Sequence, residues 1–245
     1  MRIPRTSLIA LLAVSAVCAK GDPRVTWLVG DAKLKRGAKT IPVRVHMECK
    51  LGDTLVLGAA TRLELRYADN TLLRLDENSR LVLADRTAGK PEPTLLVGKA
   101  WANVKKIGKG GTGFGVRTPT AVAAVRGTVF NVDGNADSSS VKLYEGKVEV
   151  GTTQADSIRK ARGEVGGPSE VSLEKWVMLL RGEQVVTRKD GTWASGKFDP
   201  NARDPWVAFN AQRDSLAGRP LPKDGDAAGT ATSPKGDDSD DPWAK

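Results

Sequence analysis

Apolar and polar residues alternate in short runs along most of the chain between Val25 and about Val186, and Gly, Asp and Asn separate the runs. The stretch TRLELRYADNTLLRLDENSRLVLA, residues 61–84, shows the pattern most clearly. Alternate positions within the runs are occupied by Leu63 and Leu65, by Leu73 and Leu75, and by Leu81 and Leu83, and ADNT and DENS separate the runs as Asx-rich turns. A period of two is typical of half-buried β-strands. The sequence therefore predicts an all-β domain over residues 25–186.

One phrase recurs five times at uneven spacing: an apolar stretch, a glycine, a charged residue and further alternating positions. We predict that each glycine occupies a positive-φ turn between two strands; these are Gly30, Gly52, Gly98, Gly146 and Gly182. One such unit cannot bury its apolar face alone, so several must share a core. The expected architecture is a β-roll, an irregular β-solenoid or a sandwich of short strands.

A C-terminal extension, residues 187–218, has a different composition and contains one predicted helix, from Pro205 to Leu216. Asp204 is its expected N-cap, and Gly218 is expected to end it. Trp206 and Phe209 share one face at helical spacing, and we expect this face to pack on the β domain. Residues 219–245 are rich in Pro, Gly, Ala, Asp and Lys, which predicts a disordered tail.

The N-terminus has the three parts of a secretory signal: Arg2 and Arg5, an apolar run over residues 8–17, and small residues after it. The apolar run is too short to span a bilayer as a stable anchor. Cleavage after Ala19 would remove residues 1–19. The protein is therefore expected to be exported, to the periplasm or the cell envelope.

A second interpretation of the same segment is a lipoprotein signal. The letters SAVC, residues 15–18, resemble a bacterial lipobox, in which Cys18 would be acylated and become the mature N-terminus. Val17 departs from the small residue that is usual before the cysteine. A lipid on Cys18 is the one membrane attachment that the sequence suggests.

The formal charge of +9 and the pI near 9.6 would point to nucleic acid in a cytosolic protein. Export removes that interpretation, so we expect no nucleic-acid partner. The basic surface is instead compatible with anionic envelope material. Cys49 would be the one cysteine left after signal removal, which excludes a disulfide framework.

Three segments resemble chemical sites, but each lacks a feature that its site requires. His46 and Cys49 would lie on opposite faces of an ordinary strand, which argues against a metal or nucleophile pair. GKGGTGFG, residues 108–115, has dinucleotide-loop spacing without a following helix, so a hairpin loop between Val104 and Phe114 is expected. DGNADSSS, residues 133–140, lacks the glycine and glutamate of a calcium loop and predicts a polar hairpin turn. No catalytic residue, metal or cofactor is expected.

The run VRTPTAVAAVRGTVFNV, residues 116–132, is interpreted as two strands and a corner. Pro119 would end the first strand because it lacks an amide donor. Gly127 would allow close backbone approach. Arg126 is expected to act as a structural tie that hydrogen-bonds carbonyls at the corner.

This run and VKLYEGKVEV, residues 141–150, closely resemble the FecR domain family, over about residues 55–186. The matching motif residues are Thr118, Pro119, Arg126, Gly127, Thr128, Glu145 and Gly146. The resemblance implies an all-β extracytoplasmic module, best known from regulators that relay a receptor's signal to an anti-sigma region. Those regulators carry a cytoplasmic region and a transmembrane helix before the domain, whereas this chain has a secretory signal there. The chain is therefore expected to be an exported, stand-alone member.

The function expected from these features is non-catalytic binding or signalling with an envelope protein as partner. Strand addition to an exposed sheet edge is the expected mode. The alternative is binding of an anionic envelope polysaccharide, peptidoglycan or lipopolysaccharide, through the basic surface.

Overall fold

The computed structural model describes residues 22–87, 90–105, 113–125, 127–153 and 176–221. These residues form two β-sheets, a small two-stranded ribbon and one α-helix. The first sheet contains, in spatial order, β1 (Arg24–Val29), β5 (Arg62–Arg66), β6 (Leu72–Leu75), β10 (Thr94–Asn103), β13 (Val129–Gly134), β14 (Ser138–Glu145), β17 (Glu183–Arg188) and β18 (Trp193–Lys197).

The second sheet contains β3 (Lys39–Pro42), β2 (Ala32–Arg36), β4 (Thr54–Leu57), β7 (Arg80–Val82), β10 again, β11 (Phe114–Arg117), β12 (Ala121–Val125), β15 (Val148–Thr152) and β16 (Trp176–Leu179). The ribbon pairs β8 (Asp85–Thr87) with β9 (Lys90–Pro91). Strands pair antiparallel throughout the described residues, except for one parallel contact between β10 and β11. Antiparallel pairing around a shared core favours the roll or sandwich among the predicted architectures.

The predicted alternation is confirmed, and its apolar side forms the core between the two sheets. Leu63 and Leu65 of β5, Leu73 and Leu75 of β6 and Leu81 of β7 are fully buried in one cluster. Each such side chain contributes roughly 1.5–3 kcal/mol through removal of apolar area from water. This shared core, rather than any disulfide, holds the sheets together.

Strand β10 belongs to both sheets, and Gly98 lies where it changes from one to the other. Residues 94–97 pair with β7 in the second sheet, and residues 100–103 pair with β6 in the first. Gly98 has φ +104°, and a Cβ placed on it would lie 2.6 Å from the Cα of Ser79. All five glycines of the recurrent phrase have positive φ, as predicted. The prediction of a turn between strands is wrong for Gly98, which bends a single continuous strand.

The run over residues 116–132 forms parts of three strands rather than two. TPTA is a tight turn between the antiparallel neighbours β11 and β12, and VRGT is the corner from β12 in the second sheet to β13 in the first. The hairpin expected between Val104 and Phe114 is also wrong, because β10 and β11 touch in parallel, at Thr94 and Arg117. Residues 106–112 of that connection lie outside the described residues.

Helix α1 (Pro205–Leu216) has the predicted bounds and caps. The carboxylate of Asp204 accepts a hydrogen bond from the Val207 amide at 2.9 Å, and Gly218 follows the helix with φ +72°. Trp206 is buried on the outer face of the first sheet, where its indole N–H donates to Asn131 at 2.8 Å. Among the described residues, none of the helical structure is long and apolar enough to cross a membrane. The predicted tail from residue 222 onward, and the signal segment, lie outside the description.

Candidate functional site

The TPTA turn ties the two sheets together through a cluster of buried hydroxyls. Thr120 Oγ1 lies 2.7 Å from Ser139 Oγ of β14 and 2.9 Å from Thr187 Oγ1 of β17. Ser139 Oγ donates to Thr118 Oγ1 at 2.8 Å, and the Ala121 amide donates to that same oxygen. All four hydroxyl side chains are buried, so their mutual hydrogen bonds avoid the cost of unsatisfied polar groups. The motif threonines therefore join a turn of the second sheet to two strands of the first.

The VRGT and YEGK segments interlock at the opposite end of β13. Gly127 has φ +70°, and a Cβ on Gly146 would lie 2.7 Å from the Gly127 carbonyl oxygen. Thr128 Oγ1 donates to the Lys147 carbonyl at 2.9 Å. Glu145 lies opposite Val129 in the β13–β14 ladder. The structure thus brings the motif glycines and Thr128 together within the scaffold.

Pro119 and Arg126 are the remaining motif residues, and Cys18 is the candidate acylation site. Pro119 lies in the TPTA turn, and its carbonyl accepts a hydrogen bond from Thr153 Oγ1. Arg126 and Cys18 lie outside the described residues, so the structural tie and the acylation site stay predictions.

A buried charge network under helix α1 escaped the sequence analysis. Arg74, 1% exposed, donates from Nε to Glu64 at 2.8 Å and from Nη1 to Asp214 at 2.6 Å. The second Asp214 oxygen accepts from Trp101 Nε1 at 2.9 Å. Trp206, Asn210 and Asp214 are spaced by four, so Asp214 could have been placed on the packed face of the helix. Its partner on β6, 140 residues away, has no signal in the sequence.

Glu64 is the acidic member of this network on the sheet. Burial by itself raises the pKa of Glu64, but hydrogen bonds from Thr26 at 2.6 Å and from Arg74, with the nearby charges of Arg74 and Arg213, outweigh it. Its pKa therefore lies below the ordinary value of 4.5. The network holds the helix against the first sheet.

The three chemical candidates have different outcomes. His46 is not in a strand: it lies in a turn with φ +71°, because residues 45–46 bend the chain back along β1. Cys49 is fully buried, and burial is the main cause that raises its pKa to about 12. Residues 133–140 form the predicted polar hairpin between β13 and β14. No cluster of potential metal ligands occurs in the described part of the chain.

Strand β18 presents the most open edge of the first sheet. All five of its residues are exposed, including Trp193 at 43%, and within the described ranges it pairs only with β17. The other edge strand, β1, is covered at its start, where residues 46–49 make three backbone hydrogen bonds to Pro23 and Val25. β18 has no proline or bulge, and Lys197 is its one charged residue. Such an edge is a template for pairing with another chain.

The β17–β18 ladder determines which backbone groups of β18 are available. Phe198 N donates to Gly182 O and Arg188 N donates to Thr192 O, each at 2.8 Å. Successive residues of a strand direct their backbone N–H and C=O groups to opposite sides, so these groups of the even-numbered residues of β18 point toward β17. Its outward N–H and C=O groups therefore belong to Trp193, Ser195 and Lys197.

The outer face of the second sheet is basic over β2, β4 and β7. Two rows cross these strands, one of them Lys33, Val56, Arg80 and the other Lys35, Thr54, Val82. The three basic side chains are exposed, and neither row contains an acidic residue. The leucines between these rows face the core. This face is flat, cationic and partly apolar.

Comparisons with known proteins agree with the resemblance over part of the chain. Residues 53–149 match the family described as FecR protein, and the match ends within β15. Two crystal structures of an anti-sigma factor candidate from Parabacteroides distasonis are 18% and 19% identical, with TM-scores of 0.47 and 0.46. They cover 67% and 66% of this chain, and 74% and 72% of their own chains are matched. No curated protein matches the sequence. Residues 53–149 of this chain are therefore similar to FecR domains.

Proposed function

We propose that the protein is an exported, non-catalytic module of the bacterial cell envelope that binds another envelope protein by strand addition to β18. The observation that carries this proposal is the open edge of β18, with its exposed side chains and three outward backbone pairs. An added strand would gain main-chain hydrogen bonds from the edge and side-chain contacts from Trp193 and Lys197. The secretory signal supports export, and the similarity to FecR domains supports a signalling context.

The surroundings of β18 support this mode of binding. Ala194, Ser195 and Gly196 are small and exposed, so a second backbone can approach the edge without steric hindrance. Lys197 would favour an acidic residue in the incoming strand. No cofactor or metal takes part.

The test uses a matched pair of substitutions at Ser195. Ser195→Pro removes an outward amide that the β17–β18 ladder does not use, whereas Ser195→Ala keeps that amide. Each tagged variant is used to capture proteins from the native envelope fraction, and thermal unfolding is measured alongside. We expect capture of the same partner by wild type and Ser195→Ala, and at least a tenfold loss for Ser195→Pro at unchanged Tm. Equal capture by all three would place the partner elsewhere.

A second candidate function is binding of anionic envelope polysaccharide on the basic face of the second sheet. The two rows that carry Lys33, Lys35 and Arg80 without any acid support it. Lys33→Gln with Lys35→Gln should then abolish salt-sensitive co-sedimentation with purified cell wall or lipopolysaccharide. If the double variant sediments like wild type, this face is not the site.

A further inference from the structure

Residues 44–51 form a strip along the side of β1 that faces away from β5. Val25 N donates to Met47 O at 2.9 Å, His46 N to Val25 O at 2.7 Å, and Cys49 N to Pro23 O at 2.9 Å. These bonds hold the strip against the start of the described chain. The outer side of the strip is left at the surface of the molecule.

Large apolar side chains are exposed at both ends of this strip. Val45 is 42% exposed and Leu51 is 56% exposed. Arg44 and Lys50 stand directly beside them and are also exposed. Exposed apolar groups flanked by cations are typical of surfaces that lie at a membrane interface.

The charged residues in and beside the strip differ in whether they form ion pairs. The carboxylate of Glu48 pairs with Arg24, and Asp53 accepts two hydrogen bonds from Arg36, at 2.8 and 2.6 Å. Within the described ranges, Arg44 and Lys50 form no ion pair. Asp22 also lies close enough to act on Cys49, and Lys50 acts on Asp53. The strip itself carries Arg44, Glu48 and Lys50, so its formal charge is +1.

The N-terminal end of the described chain lies beside the same strip. Pro23 is hydrogen-bonded to Cys49, and Cys18 precedes Asp22 by four residues. Four residues span at most about 14 Å when extended. A lipid on Cys18 would therefore enter a bilayer close to the strip.

We propose that the strip 44–51 docks on an anionic phospholipid bilayer and acts as a second membrane attachment beside the acylated Cys18. A single acyl chain gives only marginal, reversible binding, and a basic patch next to it makes the attachment stable. Arg44 and Lys50 supply the attraction to anionic headgroups, while Val45 and Leu51 enter the interface. This surface is separate from the β18 edge, and it rests on the proposed export and acylation only for its tether.

The position of the strip also orients the partner site. β1 and β18 are the two ends of an eight-stranded sheet, and they are at most about 34 Å apart at the usual strand spacing. A protein held by the strip at β1 would present β18 away from the bilayer. The two proposed surfaces therefore do not compete for space.

The experiment measures partitioning of the mature protein into phosphatidylglycerol-containing vesicles by sedimentation across a range of lipid concentrations. The test variants are Arg44→Gln with Lys50→Gln, and Val45→Ser with Leu51→Ser. The matched control is Lys147→Gln with Met178→Ser, which makes the same kinds of change at exposed positions outside both proposed surfaces. We expect roughly thirtyfold weaker partitioning without the two cations, from about fivefold for each, and unchanged partitioning for the control.

Two further measurements are the dependence of partitioning on salt and lipid charge, and the capture of the envelope partner. Partitioning of wild type should fall with added salt and be weak on neutral phosphatidylcholine vesicles. The proposal is overturned if wild type does not partition, if it binds neutral vesicles equally well, or if the strip variants behave like the control. Capture of the envelope partner by the strip variants is measured in parallel. Strip variants that lose vesicle binding and retain capture give the expected result. Strip variants that bind vesicles like wild type and retain capture refute this proposal and leave strand addition at β18 standing.

Discussion

Removal of the Asp214 carboxylate should destabilise the protein strongly, because it breaks a fully buried ion pair. In Asp214→Ala, Nη1 of Arg74 loses its 2.6 Å partner and keeps only Asn210 at 3.4 Å. Trp101 Nε1 loses its acceptor as well. Breaking a buried pair by removing one partner costs roughly 3–5 kcal/mol in the free energy of unfolding.

The lower end of that range applies here, because Glu64 still balances the Arg74 charge at 2.8 Å. A loss of about 3 kcal/mol corresponds to a fall in Tm of about 6–12 °C for a chain of this size. Thermal unfolding followed by circular dichroism and by tryptophan fluorescence measures the change, since Trp101 lies under the helix and Trp206 is on the buried face of the helix itself.

The matched control is Arg24→Gln, which removes a pair whose side chains are 52% and 56% exposed. Water and salt screen that pair, so its Tm should change by less than about 2 °C. If Asp214→Ala also unfolds within about 2 °C of wild type, the network does not hold the helix, and the assignment of its energy to buried charge is refuted.

Two other predictions concern acid stability and the bend in β10. The pKa of Glu64 is lowered on folding, so Glu64 contributes fully to the free energy of unfolding above its unfolded pKa near 4.5, and this contribution is lost as pH falls through the lower folded pKa. Glu64→Gln should therefore flatten the loss of stability at acid pH, measured by urea unfolding curves at a series of pH values. The same acid dependence in the variant would contradict the cause given for the pKa shift. Gly98→Ala should destabilise the protein by more than about 2 kcal/mol, because the added Cβ meets the Ser79 backbone. Gly37 also has positive φ but faces open space, so Gly37→Ala should cost about 1 kcal/mol. Equal urea midpoints for the two variants would show that steric contact at Gly98 is unimportant.

Local signals in the sequence predicted the local structure well. Helix α1 was predicted with its bounds because Asp204, Pro205 and Gly218 each act on the nearest turn. The alternation of leucines in residues 61–84 predicted which side chains face the core, since strand periodicity is fixed by the backbone.

Long-range features were not predictable in the same way. The membership of β10 in two sheets depends on strands before and after it in the chain, and the Gly98 phrase looked like the other four glycine turns. The hydroxyl cluster joins Thr118 and Thr120 to Ser139 and Thr187, up to 67 residues apart. Such contacts depend on which strands pair and in which register, and the alternation of apolar and polar residues does not determine this.

The sharing of β10 between the sheets has a consequence for how the molecule opens. Its ten residues carry ladder bonds to β7, β6 and β13, so neither sheet can lose β10 without breaking the other. Partial opening is then confined to elements away from this strand, such as β18 and β16 at the outer ends of the two sheets. Amide hydrogens of β10 should exchange with deuterium only through global unfolding, so the two sheets constitute a single cooperative unit.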